Sequence, residues 1–285
     1  MIKRKEIEIE NNTFSYIHSK GLQENKNIFF FHATGFNAET YIPFYEKLNQ
    51  LLHHEYSIFA LDQRGHGLSR ASAKPSDLIS WETFFEDARN FVRFFKMSEN
   101  IVMGHSMGGT VASIYAAVRP EKVHRLVVAE GLGAIEWGTP DMVTRIREHL
   151  DQIRRPPSPV RVKDVDEATS RLLKRHPSLK KNFAERLAEH GTIEDDRGVR
   201  WSFDPLHMVR GPYPFRESSY LSLLAEIKAP TLVVWGSQSW YPDEIRTLRA
   251  MTIPNVRVAT IDGGHMLPYD APTVLGQLAT EHFSS

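Results

Sequence analysis

The stretch Ile101-Val102-Met103-Gly104-His105-Ser106-Met107-Gly108-Gly109 places a glycine-framed serine between an apolar run and a helix-forming segment, residues 110–117. The apolar run predicts a buried strand, and the segment after the serine predicts a helix. Such a sharp turn from strand to helix needs glycines where the two elements nearly touch, and it strains the backbone at Ser106. The pattern therefore predicts an exposed serine hydroxyl at the end of a strand, beside the first N–H groups of a helix.

Length and composition bound the class of protein. The chain has 285 residues, enough for one large α/β domain or a domain with an insertion. Basic and acidic residues are equal in number, 35 each, so no net charge attracts nucleic acid or an anionic membrane. No apolar run approaches the roughly 20 residues that span a bilayer, and the first residues alternate in charge where a signal peptide is apolar. We therefore expect a cytoplasmic protein with a small-molecule substrate and no nucleic-acid partner.

Apolar runs alternate with helical periodicity along most of the chain. Residues 5–18 form two short alternating runs, which predict an antiparallel pair at a sheet edge. The later strand patterns lie at 28–31, 58–61, 101–103, 125–129, 231–235 and 256–261. Their alternation with helices predicts an α/β fold, with a mostly parallel sheet flanked by helices and a site at the carboxyl ends of the strands.

The strand patterns give way to charged, proline-broken helices between residues 134 and 228. This segment predicts a helical cap, inserted into a core that comprises residues 1–133 and 229–285. Thr139, Pro140 and Asp141 predict the start of its first helix. The apolar face predicted for that helix consists of Val143, Ile146, Leu150 and Ile153.

A serine hydroxyl is a poor nucleophile near neutral pH and needs an adjacent base that a third group orients. His265 is the candidate base, because it follows the last strand on a glycine turn at the same end of the sheet as Ser106. Because the chain has no cysteine, it has no disulfides, no thiolate metal ligands and no cysteine nucleophile. The chemistry expected of a serine and a histidine requires no metal or organic cofactor.

Acyl transfer also needs N–H donors for the developing oxyanion. The backbone N–H groups of Thr34 and Met107 are the predicted donors. Thr34 lies in the turn that leaves an apolar strand, and Met107 begins the helix after Ser106. The alternative is that Ala33-Thr34-Gly35 is only a connection between a strand and a helix.

Four motifs in this order resemble the α/β-hydrolase family, and the likeness extends over nearly the whole chain. They are His32-Ala33-Thr34-Gly35-Phe36, Asp62-Gln63-Arg64-Gly65-His66-Gly67-Leu68-Ser69, the serine motif at 104–108, and Gly263-Gly264-His265. The resemblance implies the α/β-hydrolase fold and an order of nucleophile, acid and base along the chain. It also implies that Asp62 and His66 are structural and have no catalytic role.

The acid is where the chain departs from the family pattern. The usual position of the acid, three residues after Gly236, holds Ser239. A serine cannot supply the negative charge that orients an imidazole. In a minority of the family, including some haloalkane dehalogenases, the acid lies after the next strand beyond the helix that follows the nucleophile, where this chain has Glu130. Glu130 is therefore the predicted acid, and Asp243 is the alternative.

Glu130 also ends an apolar run, where a buried carboxylate is costly without a partner. A hydrogen bond to His265 would supply that partner. The structural alternative is that Glu130 is solvated or pairs with an arginine of the cap.

The serine narrows the reaction, because family members that open epoxides or displace halide have Asp at its position. The sequence predicts a serine hydrolase that cleaves a small or medium carboxylic ester through an acyl-enzyme intermediate. Amide, thioester and carbon–carbon bond hydrolysis remain open with the same residues, and a non-catalytic ligand-binding protein is the alternative from another class. Aromatic residues in or beside the cap can line an apolar pocket, and none is assigned to substrate: Trp137, Trp201, Tyr213, Phe215, Trp240 and Tyr241.

Overall fold

Most strands of the protein belong to one mostly parallel sheet. The computed structural model describes residues 2–71, 73–97, 100–135, 141–177 and 179–285. Its strands are β1 (Ile2–Ile9), β2 (Asn12–Ser19), β3 (Asn27–Phe31), β4 (Ser57–Leu61), β5 (Asn100–His105), β6 (Val123–Ala129), β7 (Thr192–Asp195), β8 (Gly198–Trp201), β9 (Thr231–Gly236) and β10 (Val256–Ile261). Within these described residues, the larger sheet has the strand order β1-β2-β4-β3-β5-β6-β9-β10, and β7 pairs with β8 in a separate hairpin.

Helices connect and cover the strands. They are α1 (Ile42–Leu51), α2 (Glu82–Phe94), α3 (Met107–Val118), α4 (Met142–Arg154), α5 (Val165–Arg175), α6 (Lys181–Gly191), α7 (Glu217–Ala225), α8 (Asp243–Thr252), α9 (Leu267–Asp270) and α10 (Pro272–Ser284). Among the helices of the described ranges, none is both long enough and apolar enough to cross a lipid bilayer.

The pairing of the strands confirms the expected sheet. Strands β1 and β2 form an antiparallel pair at one edge, and β2 is also antiparallel to β4. The pairs from β4 through β3, β5, β6 and β9 to β10 are all parallel. Parallel strands need crossover connections, and here helices supply them. The carboxyl ends of these strands therefore lie along one edge of the sheet, where the predicted site residues also lie.

Alternate residues of the central strands pack against opposite helical layers. In β3, Phe29 and Phe31 belong to the core that α2 and α3 cover, whereas Ile28 and Phe30 belong to the core that α1 and α10 cover. Burial of each such side chain contributes roughly 1.5–3 kcal/mol. All five residues of β3 are buried because both faces of the sheet are covered, which explains the continuous apolar run in the sequence.

The elements between β6 and β9 lie outside the large sheet. They are helices α4 to α7 and the β7–β8 hairpin. Arg249 of α8 is 2 % exposed and links α7, which belongs to this region, to the segment just after β6. Its guanidinium pairs with Glu217 of α7 and donates to the carbonyl oxygens of Leu132 and Ala134.

The apolar face predicted for α4 is largely exposed, although such a face is normally buried. Val143 is 65 % exposed and Leu150 is 54 % exposed, whereas Arg145 and His149 are buried. Arg145 donates to the carbonyl oxygens of Gly211 and Tyr213, and His149 Nδ1 donates to that of Arg210. These loop carbonyls need donors once buried, so the polar side of the helix faces inward.

The start of α4 agrees with its predicted position as far as it is described. Asp141 caps the helix, and its side chain accepts hydrogen bonds from the N–H groups of Val143 and Thr144. Thr139 and Pro140, the other residues of the predicted start, lie outside the described residues.

Candidate active site

Ser106 lies in a strained turn between β5 and α3. Its φ is 53° and its ψ is −119°, a conformation that few non-glycine residues adopt. The glycines around it allow a close approach of backbone. A Cβ at Gly104 would lie 2.1 Å from Gly108 O, and a Cβ at Gly108 would lie 2.0 Å from Phe31 O. The turn leaves Ser106 partly exposed, with its N–H bonded to Ala129 O at 3.0 Å.

His265 stands between Ser106 and Glu130. It lies in the turn between β10 and α9, and its side chain is 14 % exposed. Its Nε2 is 3.0 Å from Ser106 Oγ, and its Nδ1 is 3.0 Å from Glu130 Oε2. An ionised carboxylate only accepts, so Nδ1–H donates to Glu130 and Nε2 accepts the proton of the Ser106 hydroxyl.

Glu130 is fully buried at the end of β6, with a φ of 51°. Its Oε1 accepts from the N–H of Gly236 at 2.7 Å. Its Oε2 accepts from the Ser239 hydroxyl at 2.8 Å, in addition to the bond from His265. Three donors therefore surround the carboxylate, which offsets the cost of removing its charge from water.

Asp243, the alternative acid, lies away from this arrangement. It begins α8, its side chain is 83 % exposed, and it pairs with Arg246 of the same helix. An acidic residue in a first helical turn also suits the helix dipole. Of the two carboxylates considered, the structure brings Glu130 to His265.

Thr34 and Met107 both line a cavity of about 810 Å³. Thr34 is exposed in a turn after β3 that a bond from Phe36 N to Ala33 O closes. Met107 begins α3, and the first N–H groups of a helix have no acceptor within the helix. Because Met107 directly follows Ser106, the cavity lies next to the serine, although Ser106 is not part of its lining.

The remaining wall of the cavity combines apolar side chains with charged ones, among them Arg210 and Arg216. It comes mainly from α2 with the turn before it and from the segment between β6 and β9. Of the aromatic residues considered from the sequence, Tyr213 and Phe215 line it, the Trp240 ring lies 5.3 Å from the His265 ring, and Trp137 lies outside the described residues. An aromatic group near the start of α2 also lines the cavity, and the sequence did not predict this position for it: Trp81, Phe84 and Phe85. Their signal was an amphipathic helix with an unusually aromatic first turn, and the pattern alone does not distinguish core from cavity.

Asp62 lies below the surface in the turn after β4. It accepts from the N–H groups of Ala38 and Leu68 at 2.7 and 3.0 Å, and it pairs with Arg4. These bonds hold loops together at the end of the sheet.

Comparisons with known proteins agree with this architecture. The family model described as alpha/beta hydrolase fold matches residues 27–272. A serine hydrolase-like protein of Danio rerio is 25 % identical over 250 residues, which cover 83 % of this chain and 76 % of the relative. The 2-(acetamidomethylene)succinate hydrolase of Mesorhizobium japonicum is 26 % identical over 210 residues, covering 74 % and 70 % of the two chains.

The thioesterase domain from the curacin biosynthetic pathway is a similar solved structure, with a TM-score of 0.82, 27 % identity and coverage of 98 % of both chains. The family match spans most of the sheet and reaches beyond His265, and the strand order and pairing agree with the fold that the resemblance implied. The chain therefore belongs to the alpha/beta hydrolase family.

Proposed function

We propose that this protein is a serine hydrolase that cleaves a small or medium carboxylic ester through an acyl-enzyme intermediate. The observation that carries the proposal is the position of His265, whose two ring nitrogens each lie 3.0 Å from a partner, Ser106 Oγ on one side and Glu130 Oε2 on the other. A nucleophile, a base and an orienting carboxylate within hydrogen-bond reach are what acyl transfer by serine requires.

In the proposed mechanism Ser106 Oγ attacks the ester carbonyl while His265 Nε2 accepts the hydroxyl proton. Glu130 holds the imidazole in the required tautomer and stabilises the imidazolium. The N–H groups of Thr34 and Met107 bind the oxyanion of the tetrahedral intermediate. His265 then protonates the leaving alcohol, and in the second half-reaction it deprotonates the water that hydrolyses the acyl enzyme.

We assign residues 134–228 as a cap over a core of residues 1–133 and 229–285. The cavity supports this assignment, because Phe84 and Phe85 contribute to its wall from the core, and Tyr213 and Phe215 contribute from the inserted segment. A volume of about 810 Å³ lies within the range typical of small-molecule sites. It accommodates a medium acyl group, and the aromatic part of its wall supplies an apolar surface for such a group to pack against.

Thioester hydrolysis is the second candidate, since the same three residues can form the same acyl enzyme. The thioesterase domain, at 27 % identity over 98 % of both chains, favours it specifically. The two candidates differ in the leaving group, an alcohol or a thiol, and share the role of Ser106.

The test is a panel of p-nitrophenyl esters, acyl thioesters and anilides of matched acyl length, assayed with purified wild-type protein and Ser106→Ala. We expect turnover of esters or thioesters by the wild type, and a loss of at least ~10³-fold in kcat/KM in the variant. A fluorophosphonate probe should label the wild type at Ser106 and leave the variant unlabelled. Equal turnover by the two proteins, or a wild type that neither reacts with the probe nor hydrolyses any substrate, would refute the proposal. The latter result would favour a non-catalytic ligand-binding protein.

A further inference from the structure

Two buried polar side chains form hydrogen bonds that link the loops carrying the proposed catalytic groups. Tyr41 ends the short helical turn Ala38–Tyr41, and His105 ends β5. Both residues are 0 % exposed. The Tyr41 hydroxyl oxygen lies 3.1 Å from Ala33 N and 2.8 Å from His105 Nδ1, and His105 Nε2 lies 2.7 Å from the carbonyl oxygen of His265.

The direction of each hydrogen bond follows from the groups at the two ends. The Ala33 N–H can only donate, and the His265 carbonyl can only accept. His105 must therefore donate from Nε2, which leaves Nδ1 of the neutral ring as the acceptor of the Tyr41 hydroxyl proton. Burial lowers the pKa of His105 to about 3 and raises the pKa of Tyr41, so both groups keep these protonation states.

The ends of this chain of bonds lie on the segments that carry the proposed reacting groups. Ala33 precedes Thr34, whose N–H is a proposed oxyanion donor. His105 precedes Ser106, and the accepting carbonyl belongs to His265 itself. This series of hydrogen bonds thus connects the turn that contains Thr34, the turn at Ser106 and the loop that contains His265, three segments that are distant in sequence.

We propose that Tyr41 and His105 are positioning residues that hold Thr34, Ser106 and His265 in one mutual geometry; this inference rests on the proposed function. The reacting atoms must be placed to a fraction of an ångström, and a small displacement lowers the rate without altering substrate binding in the cavity. Removal of the Tyr41 hydroxyl leaves two buried groups, Ala33 N–H and His105 Nδ1, without this partner, and the loops must shift to satisfy them.

Tyr45 provides a matched control for Tyr41. Tyr45 is also 0 % exposed, its ring stacks on Tyr41 at 6.3 Å, and within the described residues its hydroxyl has no hydrogen-bond partner. Tyr41→Phe and Tyr45→Phe therefore remove the same group from the same core, and only the first breaks the connection to the site.

The experiment measures kcat and KM for Tyr41→Phe, Tyr45→Phe, His105→Gln and the double variant Tyr41→Phe/His105→Gln, on the substrate that the wild type hydrolyses fastest. Rates are expressed per site titrated by a fluorophosphonate, which removes any contribution from unfolded protein. We expect kcat for Tyr41→Phe to fall ~10- to 100-fold with KM within about twofold of wild type, and Tyr45→Phe to match the wild type. The double variant should lose no more than about the larger of the two single losses, because both single changes break the same bond.

A wild-type kcat per titrated site in Tyr41→Phe, or equal losses in Tyr41→Phe and Tyr45→Phe, would overturn the inference while leaving the proposed function intact. Fully additive losses in the double variant would also overturn it. If the wild type neither hydrolyses a substrate nor reacts with the probe, the proposed function fails first and this inference fails with it.

Discussion

The Ser239 hydroxyl donates a 2.8 Å hydrogen bond to Glu130 Oε2, the oxygen that also lies 3.0 Å from His265 Nδ1. Ser239 occupies the position where the family resemblance implies the acid. Strands β6 and β9 are parallel neighbours, so the segments that follow them meet at the same edge of the sheet. Both positions therefore adjoin one imidazole, and this chain has the carboxylate after β6 and a hydroxyl donor after β9.

Neutralising Glu130 should severely impair turnover. In Glu130→Gln the side chain keeps its approximate shape and loses the charge that stabilises the imidazolium. We expect kcat to fall by ~10³- to 10⁴-fold, by analogy with the same type of change in serine proteases. Asp243→Asn is the control, and it should change kcat by less than about twofold because that side chain is exposed. Steady-state kinetics with the best substrate measure kcat for both variants. A large loss of kcat in Asp243→Asn together with near-normal kcat in Glu130→Gln would contradict the assignment of Glu130 as the acid.

Removing the Ser239 hydroxyl should have a moderate effect. Ser239→Ala deprives the buried Glu130 carboxylate of one of its three donors, so we expect the free energy of unfolding to fall by ~1 kcal/mol and kcat to fall several-fold. The control is Ser237→Ala, whose hydroxyl bonds to Asp262 at an exposed position and should leave both quantities unchanged. Urea denaturation and kinetics measure the two effects. A Ser239→Ala protein identical to the wild type in both would show that the bond is irrelevant.

The acid should be transferable between the segments that follow β6 and β9. Glu130→Ser removes the carboxylate, and adding Ser239→Asp to it exchanges the two residue types. Because both positions adjoin the His265 imidazole, we expect the double variant to recover at least ~10-fold in kcat/KM over Glu130→Ser alone. Ser239→Asp in the wild-type background is the control, and it should lower stability by placing two carboxylates together. No recovery in the double variant would mean that the segment after β9 cannot orient the imidazole.

Stability should decrease in mild acid. Burial lowers the pKa of His32 to about 4 and that of His105 to about 3, and it lowers the pKa of His66 well below the ordinary value. The unfolded chain takes up these protons as the pH falls through about 6.5. In the folded chain His32 and His105 do so only near pH 3 to 4, and His66 does so only well below its ordinary pKa. Stability is thus complete above about pH 6.5 and is lost as the pH falls toward 4, by up to ~1.4 kcal/mol per pH unit for each histidine.

Urea denaturation at pH 7, 6 and 5 checks this dependence. His105→Gln removes one of the buried imidazoles, so the slope of its unfolding free energy against pH should be shallower than that of the wild type. A wild type equally stable at pH 5 and pH 7 would rule out the expected effect.

Gly131 should be essential to the turn at Ser106. An alanine Cβ there would lie 2.3 Å from Ser106 O and 2.7 Å from Ser106 N, so the serine backbone must move. We expect Gly131→Ala to slow fluorophosphonate labelling by at least ~10²-fold, since a displacement near 1 Å has effects of that size. Gly198→Ala is the control, because Gly198 has a φ of +98° and no described atom within 4 Å of the added Cβ. It should lose ~1 kcal/mol of stability through backbone strain and label normally.

Signals within single segments were sufficient to predict the fold. Apolar runs and helical periodicity predicted the edge hairpin, the parallel strands and most of the helices, and the family match confirms the fold. Strand and helix patterns are readable in sequence because burial of one or both faces imposes a period on neighbouring residues. The same reasoning was wrong for α4, where buried carbonyls at 210–213 turn Arg145 and His149 inward.

The candidate site also has a part that the sequence predicted and a part that only the structure shows. Ser106 and His265 were predicted from their motifs at strand ends, and Glu130 from the acid position that the family resemblance implies and from its place at the end of an apolar run. The structure brings the three side chains together. No local pattern predicts the connection from Ala33 through Tyr41 and His105 to His265, or the contribution of α2 aromatics to the cavity. Sequence by itself determined which residues end the strands, because that depends on local periodicity. Only the tertiary structure decided which side chains meet there, because the hydrogen bonds of the site join residues that lie far apart in the sequence.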